Sequence, residues 1–532
     1  MAVALLAIAV PCVVAVYVLR LDRVVGLYTD DAWYVLLAKA LASGAGYTLI
    51  NSPSPGILPL YPPGFPALLS LVFRLAPQFP ENVAWLKAVS VVAMLGVGAV
   101  TVRYFTRERG LSLAASAGLA LATVLHPGFV FLATSTVMSE CAFALLQWLT
   151  VVAVERTVRR GGSGAAAMSG ALASLAFLTR TVGVAVPVAA FAYLVKERRA
   201  RAAAVFGVLV ALLAGSWTLY AGAHAPTAEQ RAQENTYVVD GYATAFWSKT
   251  AAFPNRGAAT VADLPMRVWE NTRELAEYDC GALGLYPVFR AVEPSEWVAP
   301  GGWRRAVSLA FAALAAVGFA AVVRQRVTLT ELLVPATLVI TVLWPAYGFR
   351  FVLPLLPVFL FYVVTAVEQL ACRLGRAGAR LAGGLVLTAL AAVSAAANAG
   401  YLWSLAGPPA ARPSWIRTFD ANHEMLLWVA THLPADALVV SPNPALVFLY
   451  TGRKALGSRA PGQNWERWQR LGVRYAVITG WRPLRPLRVA TSRYPVLYRS
   501  APLNLVVLDF GDASSRLPWL EDPAEALDWF NW

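Results

Sequence analysis

Residues 84–109 read AWLKAVSVVAMLGVGAVTVRYFTRER, an apolar stretch with a single charge at Lys87 that ends in a cluster of basic residues. The same pattern recurs along the chain, with at least ten uncharged stretches of 14 or more residues among the first 411 positions. An apolar α-helix of about 20 residues can cross a bilayer, because all of its backbone polar groups are satisfied internally. The sequence therefore predicts a polytopic α-helical membrane protein.

The composition of the whole chain supports this interpretation. Of its 532 residues, 58% are hydrophobic and only 14% are charged, and the mean hydropathy is +0.57. A soluble domain has about 25% charged residues, so the composition excludes a water-soluble protein and a disordered one. A transmembrane β-barrel does not fit either, because barrel strands alternate apolar and polar residues over about ten positions.

The apolar stretches predict eleven membrane spans. They are 2–19, 84–102, 111–125, 138–154, 162–179, 181–195, 202–221, 306–323, 330–347, 351–371 and 381–403. Five short connectors between them hold 15 Lys and Arg residues but only 3 acidic ones, namely 103–109, 155–160, 196–201, 324–326 and 372–380.

Connectors rich in Lys and Arg stay on the cytoplasmic side of a membrane. This rule places the N-terminus and all five connectors inside. The loops 20–83 and 224–305 and everything after residue 404 are then outside. The same connectors hold most of the net charge of +14, so the charge does not indicate a nucleic-acid partner.

Two outer regions carry recognisable structure. In the loop 20–83, the sequence predicts one helix from Asp30 and another that follows Tyr61 and ends near Ala76-Pro77, both amphipathic and interfacial. After residue 404, short apolar runs predict helices at 420–433, 444–450 and 464–471 and strands at 437–441, 474–479 and 503–509. We therefore expect a membrane domain over 1–403 and an extracytoplasmic α/β domain with a partly parallel sheet over 404–532.

Two arginines break the charge pattern, because they lie in short connectors that should be outside. Arg180 lies in the turn 179–183 and Arg350 in the connector 347–351. A cation is unfavourable in such a connector unless it has a function. The planar guanidinium is suited to bind a phosphate in an outer cavity. The alternative is an arginine that extends from the end of a span toward the interface.

Three carboxylates are candidates for acid–base chemistry. Asp30 and Asp31 are adjacent at a helix start, so one can cap the helix while the other faces a cavity as a general base; the alternative is a plain cap stabilised by the helix dipole. Glu140 is the only charge between Gly110 and Val154. It follows a predicted break at His126-Pro127-Gly128, which places it near the outer start of a span. A carboxylate within the membrane indicates a functional site, although a protonated or serine-bonded structural Glu is the alternative.

Histidines offer only a weak hint of a metal site. His126 and His224 both fall at predicted outer ends of spans, where a divalent metal could lie beside carboxylates. The alternative is a pair of interfacial histidines that bind no metal.

Several short motifs occur in a characteristic order and on one predicted side of the membrane. They are Tyr28-Thr29-Asp30-Asp31-Ala32-Trp33-Tyr34, Tyr61-Pro62-Pro63-Gly64-Phe65-Pro66, Ser139-Glu140, Leu178-Thr179-Arg180, Phe349-Arg350-Phe351 and, after residue 404, Tyr450-Thr451-Gly452-Arg453 and Gly472-Val473-Arg474-Tyr475. In this order they resemble the GT-C glycosyltransferases. The most similar group is the bacterial relatives of protein O-mannosyltransferase and lipid A aminoarabinose transferase, in glycosyltransferase family 39.

The resemblance implies a function for the whole chain. It implies sugar transfer from a polyprenyl-phosphate donor to a hydroxyl acceptor at the outer face of the bacterial cytoplasmic membrane. The acceptor is a protein, a lipid or an envelope glycan. Some members of the family bind a divalent metal, and no ligand set is evident in this sequence.

The resemblance also implies roles for individual residues. Asp30 corresponds to the catalytic base, and Asp31 stands where the family usually has Glu. Glu140 corresponds to a supporting carboxylate, and Arg180 and Arg350 to cations that hold the lipid phosphate.

Two tyrosines of the outer motifs, Tyr34 and Tyr61, are expected to line the acceptor site or its cavity. The competing functional interpretations are a lipid flippase or solute transporter, and a non-enzymatic scaffold. We find no related halves of the kind that transporters often show.

Overall fold

The computed structural model describes residues 2–54, 56–234, 236, 239–249, 257–289, 301–345, 348–375, 378–409, 412–458, 461–480, 494–500 and 505–511. Tyr347, at the start of the second arginine connector, lies outside these ranges, as do parts of the loop 224–305 and of the predicted strand 503–509. Within them the chain is mostly helical, with a small sheet near the C-terminus.

The membrane part and its outer loops contain helices α1 to α18. Their bounds are α1 Ala2–Arg20, α2 Asp30–Ala42, α3 Gly64–Leu75, α4 Val83–Arg107, α5 Leu113–Val124, α6 Pro127–Thr134, α7 Glu140–Arg160, α8 Ser163–Thr179, α9 Ala185–Lys196, α10 Ala200–Ala223, α11 Ala228–Glu234, α12 Tyr242–Phe246, α13 Leu264–Glu274, α14 Cys280–Phe289, α15 Gly302–Gln325, α16 Leu329–Leu343, α17 Leu356–Arg373 and α18 Ala379–Ala406.

A helix lies at each of the eleven predicted spans. In the described part of the chain, six helices are long and apolar enough to cross a membrane, namely α4, α7, α10, α15, α18 and α17 with the turn that precedes it. The bent pair α5 and α6 gives a seventh span if it crosses as one unit. The other four predicted spans contain shorter apolar helices in α1, α8, α9 and α16, so the number eleven stays a prediction.

The pair α5 and α6 is bent by 53° at the predicted break His126-Pro127. Proline lacks a backbone N–H and disfavours the helical conformation of the residue before it, and His126 is accordingly extended at φ −56° and ψ 122°. The break is as predicted. The short helix that resumes after it was not predicted, because eight residues give too little periodicity.

The two helices of the first outer loop lie where the sequence predicts them, but α2 is not interfacial. Nine of its 13 residues are buried, including Trp33 and Leu36. It packs against α3 and against a helix of the C-terminal region, so both of its faces are covered. The predicted amphipathic surface helix is therefore wrong for α2, because its polar residues serve contacts within the protein.

The C-terminal region has a five-stranded sheet flanked by helices. The elements are α19 Ser414–His432, β1 Val439–Ser441, α20 Pro444–Thr451, β2 Ala455–Gly457, α21 Pro461–Arg470, β3 Tyr475–Ile478, β4 Val496–Ser500 and β5 Leu505–Asp509. The strand order is β2-β1-β3-β5-β4. The first three strands are parallel and β5 is antiparallel to both of its neighbours, which confirms the partly parallel sheet.

This sheet docks on the first outer loop. The backbone N–H of Ala455 in β2 donates to the carbonyl of Asn51 at 2.9 Å, and the Asn51 amide donates back to the Ala455 carbonyl at 2.9 Å. Lys454 Nζ donates to the carbonyl of Ser52 at 3.0 Å. The buried core of the membrane helices continues into α19 and α20. These contacts join the two parts closely. The division into two domains at residue 404 therefore stays a prediction.

Candidate active site

Asp30 is the first residue of α2, and its carboxylate points away from the helix axis. Its Oδ1 accepts a hydrogen bond from the Tyr61 hydroxyl at 2.7 Å. Its Oδ2 accepts one from Arg350 Nη2, also at 2.7 Å. Residues 320 positions apart in the sequence therefore meet at this carboxylate.

Asp31 faces the opposite way. Its fully buried carboxylate accepts backbone N–H groups from Gly26 at 2.9 Å, Tyr28 at 3.3 Å and Ala32 at 3.1 Å. Burial raises the pKa of Asp31 to about 6, although these hydrogen bonds oppose the shift. Asp31 thus holds the loop that leads into α2, and Asp30 is the member of the pair that faces the other candidate residues.

Glu140 begins α7 and is fully buried. Arg180 Nη1 lies 2.8 Å from Glu140 Oε1, and Arg350 Nη1 lies 3.7 Å from the same oxygen. Neither oxygen of Glu140 accepts a well-aligned hydrogen bond from the part of the chain that the structure describes. The carboxylate is therefore stabilised mainly by the charge of two guanidinium groups, whose attraction is strong in a buried setting.

The two arginines approach from separate connectors. Arg180 is extended between α8 and the short turn Thr181–Val184, and Arg350 lies in the turn Phe349–Phe351. The ring of Phe351 lies beneath both of them, 5.0 Å from the guanidinium carbon of Arg180 and 5.7 Å from that of Arg350. Their side chains are 8% and 29% exposed. Both turn inward to partners, so neither shows the extension to the interface that was the alternative.

Tyr34 and Tyr61 join the carboxylates to the arginines. The rings meet edge to face with centroids 5.1 Å apart. The Tyr34 hydroxyl lies 3.1 Å from Ser139 Oγ, which accepts a hydrogen bond from Arg180 Nη1 at 3.3 Å. Burial raises the pKa of Tyr34 to about 12, so the phenol stays protonated at neutral pH.

Two contributors were not singled out from the sequence. Ser139 links Tyr34 to Arg180, and Tyr28 lies under Arg350, with the guanidinium carbon 5.5 Å from the ring centre. The sequence pointed to them only in that Ser139 is adjacent to Glu140 and Tyr28 lies two positions before Asp30. A serine or a tyrosine is common there for other reasons, so the signal was too weak to use.

The six candidate residues Asp30, Tyr34, Tyr61, Glu140, Arg180 and Arg350 therefore form one cluster. Two carboxylates face two guanidinium groups, so the formal charges balance. Arg350 contacts both carboxylates, and Asp30 is the more accessible of them, with 13% of its side chain exposed against none of Glu140. A phosphate group could engage the remaining guanidinium donors, and a hydroxyl could donate to Asp30, because each carboxylate oxygen accepts more than one hydrogen bond.

The two histidines bond to and stack on residues outside this cluster. His126 caps α6 by accepting the Gly128 N–H on Nδ1 at 3.2 Å, and its Nε2 lies 3.1 Å from the carbonyl of Ala282. His224 stacks on Tyr220 with ring centroids 4.1 Å apart. Among the described residues, no three His, Cys, Asp or Glu side chains are grouped as a metal site would require.

Comparisons with known proteins show the fold. No family model and no curated protein matches this chain. The crystal structure of ArnT from Cupriavidus metallidurans bound to undecaprenyl phosphate matches with a TM-score of 0.54 and 13% identity, over 97% of this chain and 100% of that one. The structure of the same protein in the apo state matches with a TM-score of 0.54 and 12% identity over the same shares. This chain thus has the polytopic GT-C membrane fold with a C-terminal sheet, as predicted.

Proposed function

We propose that this protein transfers a sugar from a polyprenyl-phosphate donor to a hydroxyl acceptor at the outer face of the cytoplasmic membrane. The observation that carries the proposal is the cluster of Asp30, Glu140, Arg180 and Arg350, which come from four separate elements and contact one another. The fold is shared with a protein whose crystal structure contains undecaprenyl phosphate, which supports the same class of donor for this chain.

The arginines act on the leaving group. As the bond between sugar and phosphate breaks, negative charge grows on the lipid phosphate. Arg180 and Arg350 carry fixed positive charge in a largely buried site, where such charge stabilises a transition state more than it does in water. A guanidinium has five N–H donors, so Arg350 can bind a phosphate oxygen while it still holds Asp30.

Asp30 acts on the acceptor. Its carboxylate takes the proton of the acceptor hydroxyl as that oxygen attacks the anomeric carbon from the face opposite the phosphate. The attack is a single displacement, which inverts the configuration of the sugar. The phosphate leaves as an anion, so no acid is needed on the donor side.

Glu140 supports both arginines. Its buried negative charge offsets two positive charges that would otherwise repel each other, and Ser139 beside it holds Arg180. Removal of one partner of a buried ion pair costs about 3–5 kcal/mol, because it leaves the other charge uncompensated. Glu140 thus holds the guanidinium groups of Arg180 and Arg350 in position.

The first test is binding of undecaprenyl phosphate to the purified protein. We expect Arg180→Ala and Arg350→Ala to weaken binding by tenfold or more, since a hydrogen bond to a charged group contributes about 1.5–3 kcal/mol. Arg180→Lys and Arg350→Lys keep the positive charge but lose the planar guanidinium that can bind two phosphate oxygens at once. Their affinities should therefore lie between those of the wild type and the alanine variants. Arg305→Ala is the matched control, because Arg305 is an exposed arginine paired with Glu277. Unchanged affinity in both alanine variants, with their folding intact, contradicts the proposed phosphate site.

The second test separates transfer from transport. Undecaprenyl-phosphate-linked hexoses and aminopentoses are offered together with native membranes as the source of acceptor. Release of undecaprenyl phosphate together with a glycosylated product supports transfer. Movement of the intact donor between leaflets of a vesicle without its cleavage identifies the flippase alternative instead.

A further inference from the structure

The loop 24–29, which joins the first span to α2, is held from two sides at Gly26. The Gly26 N–H donates to Asp31 Oδ2 at 2.9 Å. The Gly26 carbonyl accepts a hydrogen bond from Asn443 Nδ2 at 3.2 Å, and both bonds are buried. Asn443 belongs to the C-terminal region, 417 positions further along the chain. The position of this loop therefore depends on a distant part of the sequence.

The contact with the C-terminal helix α20 is a close one. Gly26 has φ +90°, and a Cβ at this position would lie 2.6 Å from Cδ1 of Leu446. A glycine removes both problems, because it has no Cβ and adopts positive φ readily. Leu446 itself is buried, so α20 rests directly on the loop.

The loop carries a strained residue next to Asp30. Thr29 has φ 61° and ψ −49°. The residues on either side of it are joined by a hydrogen bond, in which the Asp30 N–H donates to the Tyr28 carbonyl at 2.5 Å. This is a three-residue γ-turn with positive φ, which a β-branched side chain disfavours. Such a conformation persists only where the surroundings enforce it. The bonds to Gly26 restrain the segment that leads into this turn. At the end of the turn, the Asp30 side chain bonds to Arg350 and Tyr61.

We propose that Asn443 is a positioning residue for the reaction, and that the C-terminal region thereby holds the loop that aims Asp30. This inference rests on the proposed sugar transfer with Asp30 as base. Asn443 hydrogen-bonds to Ser441, Gly26 and Leu446, so it acts on Asp30 through Gly26 and the turn. The proposal gives the C-terminal sheet a direct part in the geometry of the site.

The side chain of Asn443 has two separable contacts, which makes a sharp test possible. Its Oδ1 accepts the N–H of Leu446 at 3.2 Å and so caps α20, whereas its Nδ2 serves Gly26. Asp is as good a cap as Asn and has the same shape, but it has no N–H to donate. Asn443→Asp therefore keeps the cap and removes the bond to the loop, but it also places a buried negative charge against the Gly26 carbonyl. Asn443→Ser also caps and is too short to reach Gly26.

The experiment measures the loop and the reaction separately. Hydrogen–deuterium exchange of peptides covering 22–34 should become about tenfold faster in both variants, since one hydrogen bond contributes on the order of a factor of ten. The kcat for release of undecaprenyl phosphate should fall by a similar factor of about ten. The Kd for undecaprenyl phosphate should stay as in the wild type in both variants. The melting temperature should stay so in Asn443→Ser, which adds no buried charge.

Val506→Ala is the matched control, because Val506 is buried in a part of the sheet core that does not include the loop. It should lower the melting temperature and leave the exchange of 22–34 unchanged. Unchanged exchange in the Asn443 variants overturns the proposal, as does a fall in kcat that only follows a fall in Kd and in melting temperature. A wild type that releases no undecaprenyl phosphate refutes the sugar transfer, and the exchange data still decide whether Asn443 holds the loop.

Discussion

Asp30 is the carboxylate of this site that can meet an incoming hydroxyl. Its side chain is 13% exposed and lies between Tyr61 and Arg350, whereas Glu140 is fully buried behind it. A general base must be within hydrogen-bond reach of the proton that it takes. The difference in exposure therefore supports the proposal that Asp30 takes the proton while Glu140 balances charge.

We expect Asp30→Asn to lower turnover by about 10²–10⁴-fold, the usual contribution of general base catalysis. Binding of undecaprenyl phosphate should stay close to that of the wild type, because both arginines remain. Release of undecaprenyl phosphate and its binding are measured on the same preparations. Asp436→Asn, at an exposed position, serves as the control. Turnover that survives in Asp30→Asn would remove Asp30 as the base.

Glu234 predicts a pH dependence of stability. It is buried and accepts a hydrogen bond from Ser52, and burial raises its pKa to about 7. Between about pH 4 and pH 7 the folded chain keeps a proton at Glu234 that the unfolded chain has lost, so stability falls as the pH rises through this window. The effect has an upper bound of about 3 kcal/mol, from 1.36 kcal/mol per pKa unit.

Glu234→Gln should therefore narrow the difference in melting temperature between pH 5 and pH 8. The variant should retain a smaller decrease in stability with rising pH, because burial also raises the pKa of Asp31 to about 6. Glu229→Gln, exposed on the same helix, is the control and should behave as the wild type. An equal pH difference in Glu234→Gln and the wild type would show that Glu234 is not a buried titrating group.

The sequence identified those residues whose charge is energetically unfavourable because their neighbours in the chain are apolar. Arg180, Arg350 and Glu140 were identified because each is a charge among apolar residues, and the structure brings them together with Asp30. The resemblance implied that Asp30 is the base, but the residues alone did not show which of Asp30 and Asp31 faces the site. This depends on which carboxylate meets the backbone of Gly26, a contact that no spacing reveals.

At the scale of elements, the site depends on a close approach between α3 and the end of α8. A Cβ at Gly64 would lie 2.7 Å from the backbone carbonyl oxygen of Leu178 and 3.1 Å from the backbone nitrogen of Thr179. Tyr61 lies three residues before the start of α3, and Arg180 immediately follows α8. The glycine of the Tyr61 motif thus sets the distance between the two segments that carry these side chains.

Gly64→Ala should separate these two segments and lower both turnover and melting temperature. Backbone atoms cannot yield as a flexible side chain can, so we expect a loss of about 1–3 kcal/mol in stability, as for other overpacked positions. Gly56→Ala is the matched control, because no atom lies within 4 Å of a Cβ there. Thermal unfolding and undecaprenyl phosphate release are measured for both. Equal behaviour of the two variants would contradict the close packing at Gly64.

The long membrane helices and the strands with a continuous apolar run were predictable, but β2 and β4 were not. A helix occupies every long apolar stretch, because a bilayer requires about 20 such residues in sequence. The strand β2 has three residues, and β4 is largely exposed, so neither has a pattern that can be recognised from the sequence. The burial of α2 was missed because α20, which covers it, is far away in the sequence.

In the molecule as a whole, hydrogen bonds join the loops 20–83 and 224–305 to the C-terminal region. Asn51, Ser52 and Gly26 from the first loop bond to Ala455, Lys454 and Asn443. Arg467 of α21 donates to the carbonyl of Ala232 in the second loop at 3.0 Å. These regions must then share one side of the membrane, and the charge pattern predicts that this side is the outer one.

This orientation predicts the outcome of cysteine labelling in intact bacterial cells. In a variant whose four native cysteines are replaced, Ala435→Cys places a thiol at an exposed position after α19, and Ser163→Cys places one at an exposed position at the predicted inner end of the span 162–179. An impermeant maleimide should label position 435 in intact cells and position 163 only after lysis, because 15 basic residues against 3 acidic ones hold the connectors inside. The reverse pattern would put Asp30 and its arginines on the cytoplasmic side, and the donor would then have to be used at the inner face.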